Sequence, residues 1–203
     1  MSIEGKQERQ PQKIEITDAK IEDLLEIETL LKETWMATYV NEERGITHAE
    51  VENRVNRIYG PETRDLRAMR IRDMQPGERF LVARREGKIV GVTRGARAGT
   101  IVPSGLFSLS MNELQALYVS PDQQKTGVGR ELWNQVRAHF DPTKDTILTV
   151  ADYNENAKDF YKSLGFVEAE LKPMNRRFQF ESGAYIPERV MILPATSATI
   201  ETQ

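Results

Sequence analysis

The chain has 203 residues and not one cysteine. Disulfides, thiolate-bound metals and an acyl-cysteine intermediate are therefore excluded, and a group-transfer reaction here has to move its group directly between two bound substrates. Histidine is scarce as well: only His48 and His139 occur, far apart and without carboxylates at ligand spacing, so no metal site is expected. No apolar run approaches the length of a membrane span, and the polar stretch from Met1 to Lys13 has no signal-peptide core. A cytoplasmic location and no membrane partner are the expectations. An excess of one charge is also missing. With 28 basic and 31 acidic residues the net charge is −3, which gives no global attraction to nucleic acid and makes any anion site a local feature.

What is present suffices for one substantial core, since 39% of the residues are hydrophobic. Residues 1–13 are expected to be a disordered tail, 14–193 a single domain and 194–203 a small polar tail. Ile14 to Thr17 alternates like a strand. From Ile21 to Tyr39 apolar residues recur at helical spacing, and a second helix is expected from Thr47 or His48 to about Tyr59. The arginine-rich stretch Arg64 to Arg85 reads as a solvated helix and loop. Phe80 to Ala83, Glu86-Gly87-Lys88 and Ile89 to Val92 form a hairpin pattern. Gly99 to Ser110 reads as a connector. Phe166 to Leu171 with Arg177 to Phe180 reads as one long or interrupted strand, and Tyr185 to Leu193 as its return.

The most informative stretch is Asn112 to Glu131. Glu113 to Val119 is β-compatible, Ser120-Pro121-Asp122 is turn chemistry, and from Gly127 onward Val128, Leu132, Val136 and Phe140 mark one helical face. Between strand and helix lies Gln124-Lys125-Thr126-Gly127-Val128-Gly129. Its glycines allow close backbone approach, and the helix start adds unpaired N–H donors, so the natural ligand is a phosphate or pyrophosphate. A P-loop is excluded because Lys-Thr precedes the glycines. A dinucleotide fingerprint fails because Leu132 stands where its third glycine belongs.

Gln-x-x-Gly-x-Gly directly after a strand ending in Leu-Tyr-Val-x-Pro resembles the acetyl-CoA pyrophosphate loop of the GNAT-type N-acetyltransferase superfamily. A second segment, Asn154-Glu155-Asn156-Ala157-Lys158-Asp159-Phe160-Tyr161-Lys162-Ser163-Leu164-Gly165-Phe166, is similar to that family's Asn-x-x-Ala-x-x-Phe-Tyr-x-x-x-Gly-Phe signature. Its local physics agrees: Asn154 is a good N-cap, Ala157, Phe160, Tyr161 and Leu164 share one face, and Gly165 suits a left-handed C-cap.

The resemblance implies an α/β fold with a mixed, largely antiparallel central sheet flanked by helices, and acetyl-CoA as the acyl-donor substrate. It places Gln124, Lys125, Thr126, Gly127, Val128, Gly129 and Arg130 on the pyrophosphate and Leu117, Tyr118 and Val119 on the pantetheine arm. Asn154 would contact the same arm, although capping explains that residue too. Tyr161 falls where the family has its tyrosine acid, and Glu113 where many members have a glutamate base. Trp35 and Tyr39 fall where the first helices wall the acceptor pocket, although aromatics at that spacing also form cores.

Acetyl transfer to an amine sets two proton problems that fit these residues. The attacking nitrogen must lose a proton although a free alkylamine has a pKa of ~10.4, and the departing thiolate, at ~8.5, needs a proton or a hydrogen bond. A phenol near ~10 is a feasible donor. A carboxylate near ~4.3 needs burial to become a useful base. The expected acceptor is a small-molecule or peptide amine of open identity, and a homodimer also stays open. Two alternatives remain: a silent acyl-CoA sensor, opposed by the intact loop and Tyr161, and a transferase of another acyl group.

Overall fold

The computed structural model describes residues 13–100, 110–170 and 178–196. In chain order the elements are β1 (Glu15–Asp18), α1 (Leu24–Tyr39), α2 (His48–Ile58), α3 (Arg64–Arg72), β2 (Glu78–Arg85), β3 (Lys88–Ala96), β4 (Asn112–Val119), α4 (Val128–Arg137), β5 (Thr146–Ala151), α5 (Glu155–Ser163), β6 (Val167–Glu168) and β7 (Glu188–Leu193). The strands form a sheet in the order β1-β2-β3-β4-β5-β7-β6. Among the described residues only β4 and β5 run parallel; every other neighbouring pair is antiparallel. This is the mixed, mostly antiparallel sheet with flanking helices that the resemblance implied.

Local chemistry explains the boundaries. Thr47 and Glu50 form a reciprocal capping box, the Glu50 N–H donating to Thr47 Oγ1 at 3.3 Å and the Thr47 N–H to Glu50 Oε2 at 3.2 Å, which starts α2. Glu86 and Gly87, at φ 52° and 79°, make the two-residue turn that joins β2 to β3. Asn154 Oδ1 accepts the Ala157 N–H at 3.1 Å to cap α5, and Gly165 closes the helix as the Phe166 N–H reaches back to the Tyr161 carbonyl.

Two faces of the sheet are covered. On one, α4 and α5 bury Val128, Leu132, Trp133, Val136, Tyr161 and Phe166 against Leu114, Val119, Leu148 and Met191. Each such aliphatic side chain contributes about 1.5–3 kcal/mol by leaving water. α4 lies so close to β3 that a Cβ on Gly95 would stand 2.6 Å from Phe140, so only glycine fits there. On the other face α1 packs Ile27, Leu30 and Leu31 onto Val82, Ile89 and Val92. Where α1 and α2 meet the sheet end, Trp35, Val51 and Val55 join Phe180 and Ile186 in a third cluster.

Several expectations need correction. The first helix begins as a 3-10 turn, Ile21–Asp23, and is α-helical only from Leu24. The stretch Arg64 to Arg85 is not wholly solvated, because Glu78–Arg85 is a strand and Arg64 and Arg67 grip Glu28, a buried carboxylate of α1. Burying Glu28 without a cation would cost far more than the cations lose by being held, so α3 is pinned to α1. Among the described residues of the expected strand Phe166 to Leu171 only Val167–Glu168 is a strand, and its return starts at Glu188 rather than Tyr185. Residues 171–177, and with them the start of the expected Arg177 to Phe180 piece, lie outside the described residues, as do 101–109 of the connector, 1–12 of the first tail and 197–203 of the second.

Candidate active site

β4 and β5 pair only at Asn112–Thr146 and Glu113–Ile147. Beyond Glu113 they separate, while the opposite edge of β4 stays paired with β3 as far as Val119–Gly91. Among the described residues the β5-facing edge from Leu114 to Val119 therefore carries no ladder bond, and a wedge-shaped gap opens along it. The cause is local. Arg94 faces Ala116 and Gly95 faces Leu114, so Gln115 is an extra residue, and such a bulge bends its strand and increases its twist.

At the open end of the gap the chain turns through Pro121–Gln123 into α4. Lys125 at φ 61° and Gly127 at φ 94° bend the loop, and the glycine takes at no steric cost a conformation that strains any other residue. Thr126 Oγ1 donates to the Gln123 carbonyl at 2.7 Å, and Arg85 Nη1 of β2 donates to Gln123 Oε1 at 2.7 Å, bracing the loop from below. As at any helix start, the N–H groups of Val128, Gly129 and Arg130 have no intrahelical carbonyl to bond. A Cβ on Gly129 would lie 3.4 Å from Phe160 of α5 and 3.6 Å from Leu117 of β4, so these three residues meet beside the gap. Arg130 turns toward α5, its Nη2 3.3 Å from Ser163 Oγ, while Lys125 stays exposed.

The other flank is aromatic. Trp35, only 3% exposed, meets Tyr39 edge-on at 4.7 Å between ring centroids and Phe178 at 5.6 Å. Tyr39 Oη lies 3.2 Å from Tyr118 Oη, and Tyr153 Oη donates to the Tyr39 carbonyl at 3.1 Å. Burial, and next the neighbouring Tyr118 hydroxyl, push the Tyr39 phenol well above the ordinary tyrosine range. Burial likewise pushes Tyr153 up to about 12, with the Arg44 cation pulling the other way. Tyr118 was expected on the donor arm. Its main chain is on the gap edge, but its side chain belongs to this aromatic flank.

Tyr161 is 8% exposed and packs edge-on against Phe160 and Phe166 at 5.3 and 5.7 Å. Burial first, and then Tyr118, raise its pKa far above the ordinary value. Glu113, 5% exposed, lies at the closed end of the gap. Its neighbour Leu114 packs on the α4 side, so strand alternation turns Glu113 to the α1 side. The two expected catalytic residues thus stand on opposite faces of the sheet. Among the described residues no group of three His, Asp or Glu side chains could hold a metal ion, and no helix is long and apolar enough to cross a membrane.

A family model described as the acetyltransferase (GNAT) domain matches residues 35–180. The chain belongs to the GNAT acetyltransferase family. Solved GNAT structures share its fold. PaiA N-acetyltransferase from Thermoplasma acidophilum, in complex with coenzyme A, superposes with a TM-score of 0.63 at 20% identity, over 90% of this chain and 99% of that one. The ribosomal-protein-S18-alanine N-acetyltransferase of Escherichia coli does so at 0.59 and 17%, over 94% and 99%. YncA from Salmonella typhimurium, with its cofactor acetyl-CoA, gives 0.56 and 18%, over 92% and 96%. A search among curated proteins gave no match.

Sequence reasoning overlooked several residues of this candidate site. Tyr59 and Tyr153 reach the aromatic flank from a helix end and a loop with no spacing to announce them. Arg85 braces a loop 38 residues away in sequence. Gln115 gives no warning of a bulge, because the apolar run Ala116 to Val119 that follows it fits either register.

Proposed function

We propose that this GNAT domain is an acetyl-CoA-dependent N-acetyltransferase that passes acetyl directly to an amine within a ternary complex. The observation that supports it most is the split between β4 and β5, which joins an unpaired strand edge to a helix start and a glycine loop. An extended arm with amide groups can complete the edge as an added strand, and a pyrophosphate suits the clustered N–H groups. Residues Gln124 to Arg130 would hold the pyrophosphate, mostly through main chain, with Lys125 adding charge. Leu117, Tyr118 and Val119 would pair with the arm, and Asn154 would approach it while capping α5.

Acetyl-CoA supplies an acetyl group activated as a thioester. Tyr161 stays a neutral phenol throughout the working pH range, so it acts as a donor and never as a base. Because its pKa is raised well above that of a free thiol, it serves mainly as a hydrogen-bond donor to the departing sulfur, passing its proton only when the thiolate is itself desolvated. Glu113, buried at the closed end of the gap, is the candidate to take the amine proton. Trp35 and Tyr39 would wall the acceptor side, Trp35 as support and Tyr39 through its hydroxyl.

Free-thiol release from acetyl-CoA, measured over a panel of amino acids, polyamines, aminoglycosides and peptides, tests the reading. Amine-dependent release is expected. Coenzyme A binding without release for any amine would favour a sensor, and absence of binding would overturn the proposal.

A further inference from the structure

Gln115 carries a buried carboxamide whose Oε1 and Nε2 both have no hydrogen-bond partner among the described residues. An unpaired buried amide lowers stability, and in a native protein it calls for a reason. The bulge supplies one. Leu114 and Leu117 both pack on the α4 side of the sheet, although they are three residues apart, a spacing that an unbroken strand cannot satisfy. The extra residue takes up the difference, so Gln115 and Ala116 together face the opposite side, the side of Tyr118 and Tyr39. Glu113 faces that side as well, and its pair with Ile147 is the last between β4 and β5, so Gln115 stands just past the closed end of the gap. The side chain is thus held by the strand, shielded from water, and oriented among the groups of the proposed acceptor site with its polar atoms unused.

We infer that Gln115 is a direct contact for the acceptor amine and sets which acceptors are used. Its Oε1 accepts an N–H of the attacking nitrogen, and its Nε2 donates to an oxygen of the same acceptor. The carboxamide carries no charge and takes no proton; it orients the nitrogen while Glu113 handles the proton. This rests on the proposed transferase reading. It also explains why an unpaired buried amide is tolerated in the free protein, since the missing partner arrives with the substrate.

Gln115→Met keeps the length and apolar body of the side chain and deletes both polar atoms. Three measurements decide: the melting temperature of the free protein, coenzyme A affinity by calorimetry, and thiol release with the amine that wild type uses best. The expected result is an unchanged or higher Tm, unchanged coenzyme A affinity, and a fall of about tenfold or more in kcat/KM for the amine. A folded Met variant with wild-type kcat/KM would overturn the inference. So would a lowered Tm, because it would show that the amide already has a structural partner. If wild type itself releases no thiol with any amine, the transferase reading has failed and this inference falls with it; an active wild type with a Met variant of unchanged kcat/KM sinks the inference alone.

Discussion

On the α4 side of the gap the site is made of main chain: the open edge of β4, the loop through Gly127, and the first N–H groups of α4. On the α1 side it is made of side chains from separate elements: Trp35 and Tyr39 from α1, Tyr59 after α2, Tyr118 from β4 and Tyr153 from the loop before α5. A main-chain site constrains residue type only where a side chain would obstruct, so it leaves short glycine patterns. A side-chain site can be assembled from many residue combinations, and nothing local marks it. On the proposed reading the donor flank is therefore the one that leaves a motif in the sequence, and the acceptor flank the one that leaves none.

The largest effect expected is at Tyr161, which packs on the α4 side of the sheet. Tyr161→Phe keeps the ring contacts with Phe160 and Phe166 and removes one hydroxyl, so turnover should fall by roughly 10²-fold while coenzyme A affinity holds. Since the phenol titrates far above its ordinary value, wild-type turnover should show no alkaline loss from this group up to about pH 10. Steady-state kinetics of the variant across pH checks both, and wild-type turnover in Tyr161→Phe would remove the residue from the mechanism.

Next comes a change confined to the donor flank. In Gly129→Val the new Cβ reaches ordinary contact with Phe160 and Leu117, and the methyls beyond it project where the pantetheine arm would lie. Coenzyme A should bind about tenfold more weakly, a loss of ~1.4 kcal/mol, with the fold retained. Unaltered affinity by calorimetry would argue that the arm runs elsewhere.

A smaller change sharpens the contrast from the acceptor flank. Tyr39→Phe deletes the hydroxyl that faces Tyr118 and should cost at most ~1 kcal/mol of stability while altering KM for the amine and not for acetyl-CoA. Equal changes in both KM values would mean that the two flanks are not separable.

The same division decides how much was legible beforehand. Gly127, Gly129, Asn154 and Gly165 each answer a backbone need, so the β4-α4 loop and the α5 signature could be read as motifs. The periodicity of Val128, Leu132 and Val136 was equally plain, because a helix against a sheet repeats one face. The pin that Arg64 and Arg67 put through Glu28 was read as solvated charge, since an arginine-rich helix looks alike whether it faces water or a buried carboxylate 36 residues away. The bulge at Gln115 was invisible because it is a relation between two strands. Tyr118 was expected on the pantetheine arm by its strand position, and the bulge three residues earlier, at Gln115, is what turns its side chain toward Tyr39.

The smallest effect is in acid. Burial alone would raise the Glu28 carboxyl, but hydrogen bonds from Arg64 and Arg67 outweigh it and hold the pKa below the ordinary 4.5. A carboxylate with a depressed folded pKa contributes stability that is present above the unfolded value and lost as pH falls through the folded one. Melting temperature should therefore decline below about pH 4.5, and Arg67→Gln should lower the neutral-pH value while reducing that decline.

Amide hydrogen exchange with and without coenzyme A addresses the central claim, that the unpaired edge of β4 and the start of α4 are the donor site. On adding coenzyme A, amides from Gln115 to Val119 and from Gly127 to Arg130 should slow markedly, while those of α2 and α3 stay as they were. Binding that leaves the β4 edge and the α4 start exchanging at their free rates, with protection appearing elsewhere, would contradict it.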